Sequence, residues 1–142
     1  MSVDQCGFKT FEHQADIGIQ GFGRTIEESF AQAARLIFSL MVDDLQAVKA
    51  EEKVIVEVSG YDQEALFVNW LNGLICQADI HKMILSCFYV SIQSLELRAE
   101  VWGEGYSLDK HGRGIEVKGA TMTELAVYQD KGLWIAQCVV DI

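Results

Sequence analysis

The sequence predicts an α+β domain in which helices pack on antiparallel strands. Two strand-like segments in the N-terminal half are each followed by a segment with helical periodicity, and the chain from Met83 onward alternates apolar with polar residues. The 142 residues contain no proline and no low-complexity linker, and 50% of them are hydrophobic. Because a chain of this size and composition can bury its own core, we expect one domain over residues 1–142.

The first strand–helix unit begins with the segment FKTFEHQADIGIQGFG, which predicts one continuous strand over residues 8–23. Polarity alternates around Asp16, as is typical of a half-buried strand. Thr25 can cap the following helix, and Glu28, three residues later, completes a capping box. The apolar stripe of this helix consists of Ile26, Phe30, Ala33, Ala34, Ile37 and Met41.

The second unit repeats the order of the first. The segment KVIVEVSG predicts a strand over residues 53–60, with its valines on one face. Asp62 can cap a helix that runs to about Ala78. The core stripe of this helix consists of Leu66, Trp70, Leu74 and Ala78. The repeated order indicates a pseudo-duplication.

The C-terminal half predicts strands only. Their expected ranges are Met83–Ile92, Leu95–Gly103, Gly114–Tyr128 and Leu133–Asp141. The last two are joined by QDKG, a polar loop with a glycine where a tight hairpin favours one. These strands predict an antiparallel meander on which the helices pack.

The charge balance is acidic, with 21 acidic against 11 basic residues and a net charge of −10. Nucleic-acid-binding proteins gather Lys and Arg against the phosphates. The sequence contains no such patch, so we expect no autonomous binding of nucleic acid. No apolar run reaches the length of about 18 residues that spans a bilayer, and the first ten residues lack the pattern of a secretion signal. We therefore expect a cytoplasmic protein without membrane contact.

The four cysteines, Cys6, Cys76, Cys87 and Cys138, show no C-x-x-C spacing. Three of them lie in apolar stretches, where cysteine behaves as a small hydrophobic residue. We expect buried free thiols rather than a zinc site or disulfides.

Motifs of catalytic sites are absent from the sequence, which has no Walker A pattern, no G-x-S-x-G and no H-E-x-x-H. We therefore expect no catalytic residues. Of the three histidines, His81 and His111 are expected in loops, where surface or structural hydrogen bonding is the ordinary role. His13 differs because it lies three residues before Asp16.

Acidic groups are expected to meet at one place if the C-terminal strand pairs beside the first strand. Asp16, Asp141 and the terminal carboxylate of Ile142 would then lie together, and oxygen ligands of this kind suit Ca²⁺ or Mg²⁺. The alternative is two surface aspartates beside a frayed chain end. Lys118, in the strand GIEVKGAT, is by itself typical of a solvated edge charge.

Four segments of the chain, in order, resemble the archease family. They are FEHQADIGIQGFGRTIEESFAQAARLIFSLM, LFVNWLNGLI, GIEVKGATMTELAV and the terminal VVDI. The first is similar to the family's E-H-T-A-D-I-G-I opening and the helix after it, the second to L-x-x-W-L-N-E-L, and the third to I-K-A-x-T-Y. The resemblance extends over nearly the whole chain.

The resemblance implies an accessory protein of the cytosol rather than an enzyme. Archeases activate the RNA ligase that joins ends bearing a 3′-phosphate or a 2′,3′-cyclic phosphate, a ligase that uses GTP and manganese in tRNA splicing and RNA repair. They promote guanylation and multiple turnover of that ligase. Some members are also linked to tRNA methyltransferases as chaperone-like modulators. The implied fold is a doubled strand–helix–strand–strand module.

Site residues follow from the resemblance by motif. Asp16, Asp141 and the carboxylate of Ile142 match the metal ligands of the family, with Ca²⁺ the favoured ion and Mg²⁺ or Mn²⁺ the alternatives. Lys118 matches the lysine associated with activation of the ligase, and His13 lies in the same E-H motif as Asp16. The resemblance therefore favours a cation site over the solvated aspartates.

The chain departs from the family pattern at three positions outside these site residues. Gln14 replaces the common Thr, Gly73 the common Glu, and Thr123 stands where a histidine is frequent. A different class of function also stays open, namely a metal-dependent hydrolase or transferase in which Asp16 and Asp141 hold a catalytic cation. No nucleophile–base pair supports that alternative.

Overall fold

The computed structural model describes residues 5–142, which form two antiparallel sheets and a layer of helices. Residues 1–4 of the predicted domain lie outside the described residues. They are part of the first ten residues, for which the sequence predicted no secretion signal. The strands are β1 (Gly7–His13), β2 (Asp16–Gly23), β3 (Glu52–Ser59), β4 (Met83–Gln93), β5 (Glu96–Gly105), β6 (Gly119–Ala120), β7 (Ala126–Asp130) and β8 (Leu133–Asp141). The helices are α1 (Ile26–Met41), α2 (Gln63–His81) and the short α3 (Leu108–His111), and a 3₁₀ turn spans Leu45–Ala47.

The larger sheet has five strands, in the order β1-β2-β8, with β6 and β7 both paired to the other edge of β8. The smaller sheet has the order β3-β5-β4. Helices α1 and α2 each contact strands of both sheets and so lie between them. The predicted α+β class and the antiparallel pairing are confirmed. One strand–helix–strand–strand module, β3-α2-β4-β5, lies in the chain between the two parts of the larger sheet.

Both helices begin where the capping residues predict. The Glu28 N–H donates to Thr25 Oγ1 at 3.1 Å, and the Arg24 N–H donates to Glu28 Oε1 at 3.0 Å. In α2, the Ala65 N–H donates to Asp62 Oδ1 at 2.7 Å. Thr25 and Asp62 thus satisfy amide groups that the first helical turn leaves without a partner. Glu28 accepts from Arg24, the residue before the N-cap, and not from Thr25 as a capping box requires.

The C-terminal end of α2 lies three residues beyond the predicted Ala78. Lys82 closes the helix in the left-handed conformation, with φ of 54°. His81 therefore belongs to the helix and not to a loop, and its Nε2 lies 3.1 Å from Gln77 Oε1. This part of the prediction was wrong because no glycine marks the helix end.

The core joins the two helices through Trp70, which is fully buried. Its indole N–H donates to the carbonyl oxygen of Phe30 in α1 at 2.9 Å, and the ring meets Phe88 of β4 edge to face at 6.4 Å. All four residues of the predicted α2 stripe are buried. In α1 the stripe is buried except at its two ends, where Ile26 and Met41 are half-buried against the core.

The predicted strand over residues 8–23 is instead a hairpin of β1 and β2. The chain reverses at Gln14 and Ala15, and His13 pairs with Asp16. Gln14 adopts a φ of 52°, which glycine or asparagine usually provides in a two-residue turn. Because both arms keep the same two-residue alternation, the sequence contained no signal for the reversal.

The predicted strand Gly114–Tyr128 is also wrong. Only β6 and β7 are extended strands there, and residues 112–118 run along the end of α1. The N–H groups of Gly114 and Ile115 donate to the carbonyl oxygens of Met41 and Leu40 at 2.9 and 2.7 Å. A Cβ at position 114 would collide with the Leu40 carbonyl oxygen, so this close approach requires glycine.

The β7–β8 hairpin over QDKG is confirmed. Lys131 and Gly132 both have positive φ, 53° and 83°, as a two-residue hairpin turn requires. The strand Leu133–Asp141 has the predicted bounds.

The expectation of buried thiols holds for Cys138 only. Cys6 and Cys76 are exposed and Cys87 is half-buried, and all four thiols are free. Burial raises the pKa of Cys138 to about 12. Cys76 is exposed because it lies on the solvent side of α2, opposite the stripe that the sequence pattern identified.

No helix in residues 5–142 is long and apolar enough to cross a membrane.

The substitution Trp70→Ala should lower the free energy of unfolding by about 3–5 kcal/mol, because it leaves a large cavity between the helices. Urea denaturation at equilibrium measures the change. Tyr61→Ala is the matched control, since Tyr61 is 81% exposed and its loss should cost less than about 0.5 kcal/mol. Equal effects of the two substitutions would contradict the packing described here.

Candidate metal and partner site

The pairing of β2 with β8 brings the sequence-predicted acids to one end of the larger sheet. Ile17 is opposite Val140, and one residue further along the two strands stand Asp16 and Asp141. Across the β1–β2 hairpin, His13 pairs with Asp16. A row of His13, Asp16 and Asp141 therefore crosses three neighbouring strands. The expected meeting of these acids required the C-terminal strand to pair beside the strand predicted over residues 8–23, and β8 does pair with β2, the second arm of that segment.

Two carboxylates at opposite positions of neighbouring strands repel each other. Asp16 is half-buried and Asp141 is exposed. Among the described residues, neither takes part in an ion pair with Lys, Arg or His. A cation shared by the two side chains would offset this repulsion, whereas water alone would leave it.

The donor set fits a hard cation, although few protein ligands are available. Within residues 5–142, no group of three or more His, Cys, Asp or Glu side chains could hold a metal ion. The predicted set is different in kind, because its third member is the α-carboxylate of Ile142 rather than a side chain. All its donors are oxygens, as Ca²⁺ and Mg²⁺ prefer, and three carboxylates leave coordination positions for water or a partner.

Lys118 reaches the same end of the sheet through β6. Gly119 pairs with Asp141, and the Lys118 N–H donates to the Asp141 carbonyl oxygen at 2.8 Å. The Lys118 side chain is exposed and forms no ion pair with any described residue. The lysine therefore precedes the short strand instead of lying inside a long one, and its ammonium group is free to contact a partner.

Asn72 of α2 holds β6 in place, a role that the sequence did not indicate. The Ala120 N–H donates to Asn72 Oδ1 at 2.8 Å, and Asn72 Nδ2 donates to the Ala120 carbonyl oxygen at 3.3 Å. The side-chain amide thus continues the sheet beyond the free edge of β6. Asn72 is part of the segment LFVNWLNGLI, whose resemblance to a family motif was the available signal.

A groove of about 970 Å³ lies next to this site, between α2 and the segment before β6. Lys118 and Asn72 line one part of it, and Ile75, Asp79 and Arg113 line other parts. The lysine therefore borders both the acidic sheet end and an open groove in which a partner could contact it.

The segment between β5 and β6 is fixed by a buried ionic cluster that the sequence did not reveal. Glu104 and His111 are buried, and Glu104 Oε2 lies 2.9 Å from His111 Nε2 and 2.8 Å from Lys110 Nζ. The Ser107 N–H donates to His111 Nδ1 at 2.9 Å, so Nδ1 is the acceptor and Nε2 carries the proton donated to Glu104. His111 was expected in a loop, with surface or structural hydrogen bonding. It is instead the last residue of α3, its hydrogen bonding is structural, and its burial was not predicted because the alternating pattern of β5 does not mark Glu104 as a buried acid.

The hydrogen bond from His111, and next that from Lys110, lower the pKa of Glu104 from 4.5 to about 2. A carboxyl group with a lowered folded-state pKa stabilises the fold above its unfolded pKa and loses that contribution as the pH falls.

The substitution Glu104→Gln should lower the free energy of unfolding at pH 7 by roughly 1.5–3 kcal/mol, because hydrogen bonds to a buried charge are lost. The difference from the wild type should be constant above pH 4.5 and should shrink as the pH falls toward 2, where the wild-type carboxylate also becomes protonated. Urea denaturation across this pH range measures it. Glu57→Gln, at an exposed ion pair, serves as the control. A difference that does not depend on pH would contradict the assigned role of the Glu104 charge.

The fold and the site together define a small α+β protein that presents carboxylates and one free lysine at a sheet end. The family model described as the archease protein family matches residues 8–142. The archease of Sulfurisphaera tokodaii is 38% identical over 137 residues, which cover 95% of this chain and 98% of that protein. The archease of Pyrococcus furiosus is 34% identical over 137 residues, covering 93% and 96%. The chain therefore belongs to the archease family.

Two solved structures have the same fold. The solution structure of protein 1598 of Methanobacterium thermoautotrophicum matches with a TM-score of 0.83 and 31% identity, covering 96% of this chain and 99% of that one. The crystal structure of an archease from Thermotoga maritima, described as a possible chaperone, matches with a TM-score of 0.60 over 94% and 96% of the two chains. At 20% identity, the second likeness concerns the fold alone.

Proposed function

We propose that the protein activates an RNA ligase of the type that uses GTP and manganese and joins RNA ends bearing a 3′-phosphate or a 2′,3′-cyclic phosphate. It promotes guanylation and multiple turnover of this ligase in tRNA splicing and RNA repair, and it does not catalyse ligation itself. The observation that carries the proposal is the meeting of Asp16, Asp141, the chain terminus and Lys118 at one sheet end. Membership of the archease family supports it.

In this proposal the acidic groups and the lysine have separate tasks. The carboxylates of Asp16, Asp141 and Ile142 hold a divalent cation, with Ca²⁺ favoured and Mg²⁺ or Mn²⁺ as alternatives. When bound, the cation supplies positive charge beside phosphate groups in the ligase. The exposed ammonium group of Lys118 donates hydrogen bonds to phosphate oxygens and so orients them for attack by the ligase's histidine.

The charge of the chain supports a protein partner rather than RNA alone. A net charge of −10 disfavours contact with a phosphate backbone and favours a basic protein surface. A second candidate is a chaperone-like modulator of a tRNA methyltransferase, a role linked to some members of the archease family to which the chain belongs. In both cases the protein acts on an enzyme in the cytoplasm.

An assay with a ligase of this type, GTP, Mn²⁺ and RNA with 3′-phosphate ends tests the proposal. The protein should raise the number of turnovers per ligase and the level of guanylated ligase, and without ligase it should form no product. Product formed or RNA cleaved by the protein alone would favour the metal-dependent enzyme instead. Stimulation of a tRNA methyltransferase without effect on the ligase would favour the second candidate.

The substitution Lys118→Ala should abolish most of the stimulation of guanylation, because a donor to phosphate is lost. The free energy of unfolding should change by less than about 0.5 kcal/mol, since the side chain is exposed. Lys131→Ala, at the β7–β8 turn at the other end of the same sheet, is the matched control and should retain stimulation. Loss of stability in proportion to activity would mark Lys118 as a structural residue.

Binding of Ca²⁺ should weaken by about tenfold or more in Asp16→Asn, because one charged oxygen ligand is lost. A Gly-Ser extension after Ile142 should have the same effect, since it converts the α-carboxylate into an amide. Calorimetric titration with CaCl₂ measures the affinity, and circular dichroism checks the fold. Asp130→Asn, in β7 beside the opposite end of β8, should bind as the wild type does. Unchanged affinity in the extended protein would remove the terminus from the ligand set.

A further inference from the structure

The smaller sheet has an open edge at β4 that differs from every other long strand of the fold. Among the strands longer than two residues within residues 5–142, β4 alone contains no Asp, Glu, Lys, Arg or His, and it contains no proline. Natural edge strands are normally protected by charges, prolines, bulges or a covering element, because an open edge pairs with other chains. The opposite edge of this sheet, β3, carries two glutamates and a lysine.

The backbone of this edge has no partner within the described residues. All pairing of Met83–Gln93 is to β5, and no loop or other strand donates to or accepts from the backbone of this stretch. A register shift at Ser86 interrupts the strand near its start. The seven residues Cys87–Gln93 that follow pair regularly with β5, and they leave a straight run of free backbone groups long enough for one more strand.

Side chains along this run alternate between the two faces of the sheet, as is required of an edge strand to which another strand is added. Tyr89 is 65% exposed, and Ser91 and Gln93 are exposed on the same face. Phe88 is buried, and Val90 is half-buried against the core, on the other face. An added strand would therefore place every second side chain over the helix layer and the others in solvent.

A groove of about 510 Å³ runs beside this edge. The charges of its lining residues indicate which charge a bound segment should carry. Glu27, Glu28 and Ala31 of α1 line one side, and the strands supply Glu100 and Arg98 on the other. Arg98 already lies 3.9 Å from Glu100 and 4.0 Å from Glu57, so its charge is largely offset. The groove is therefore net acidic, and the small side chain of Ala31 leaves room above the helix.

We propose that the β4 edge binds an extended, basic segment of a partner protein by β-strand addition. The free backbone groups of Cys87–Gln93 pair with the segment, its Lys or Arg residues lie on the α1 side and contact Glu27 beside Ala31, and its alternate apolar residues lie next to Tyr89 on the other face. A second copy of this acidic chain is disfavoured because it would bring like charges together at the same groove. The proposal concerns the smaller sheet and does not depend on the ligase.

The test uses the full-length protein and a synthetic peptide, acetyl-Lys-Val-Arg-Val-Lys-Val-Arg-amide. Hydrogen exchange should slow at amides within residues 87–93 on addition of the peptide, and fluorescence anisotropy should report saturable binding. A peptide with Glu at each basic position should not bind. A basic peptide that is N-methylated at alternate residues should bind far more weakly, because it cannot complete the hydrogen-bond ladder.

Matched charge reversals locate the binding site. Glu27→Lys should weaken binding by about tenfold through lost charge complementarity. Glu64→Lys, at the second position of α2 as Glu27 is of α1, should leave it unchanged. Equal binding of the N-methylated peptide, or equal effects of the two reversals, would overturn the proposal. Slow exchange at residues 87–93 without peptide, together with a concentration-dependent dimer, would overturn it in favour of self-pairing.

Discussion

The candidate site depends on the central position of β8 in the larger sheet. This strand pairs with β2 along one edge and with β6 and β7 along the other. The end of β8 carries Asp141 to the start of β2, where Asp16 lies, and Ile142 follows directly. The same strand receives the backbone of Lys118 from the other side. Asp16 and Asp141, 125 positions apart in sequence, thus meet through strand register.

The rest of the fold keeps that sheet end in place. Trp70 links α2 to the backbone of α1, and Asn72, two residues later, links α2 to β6. The segment that leads to Lys118 is attached at its start by Glu104 and His111 and in its middle by backbone hydrogen bonds to the end of α1. A lysine on an otherwise irregular segment is therefore fixed in position, although the segment contains little regular structure.

The sequence predicted the features that depend on local chemistry. Thr25 and Asp62 marked the helix starts because a side-chain oxygen at the N-cap accepts a hydrogen bond from an amide of the first helical turn. The hairpin at Gln14 escaped prediction because its positive φ is carried by a residue without a turn signal. The burial of His111 escaped it as well, since the partner carboxylate of Glu104 lies in a different element.

For the candidate site, the sequence indicated Asp16 and Asp141 as candidates. Whether they lie together depended on the pairing of the C-terminal strand with the first predicted strand. The register of β2 and β8 provides that pairing. The hydrogen bonds between Asn72 and Ala120 depend instead on a tertiary contact between α2 and β6, which the spacing of residues in the sequence does not indicate. Exposed Cys76 illustrates the same limit, because an apolar neighbourhood in sequence does not say which side of a helix faces the core.

We propose that a cation lies between the ends of β2 and β8. Anomalous diffraction from crystals soaked in MnCl₂ locates such an ion directly. We expect a peak within coordinating distance of the carboxylates of Asp16, Asp141 and Ile142, with water filling the remaining positions. Ordered side chains at this sheet end without an anomalous peak, or a peak held by other residues, would contradict it.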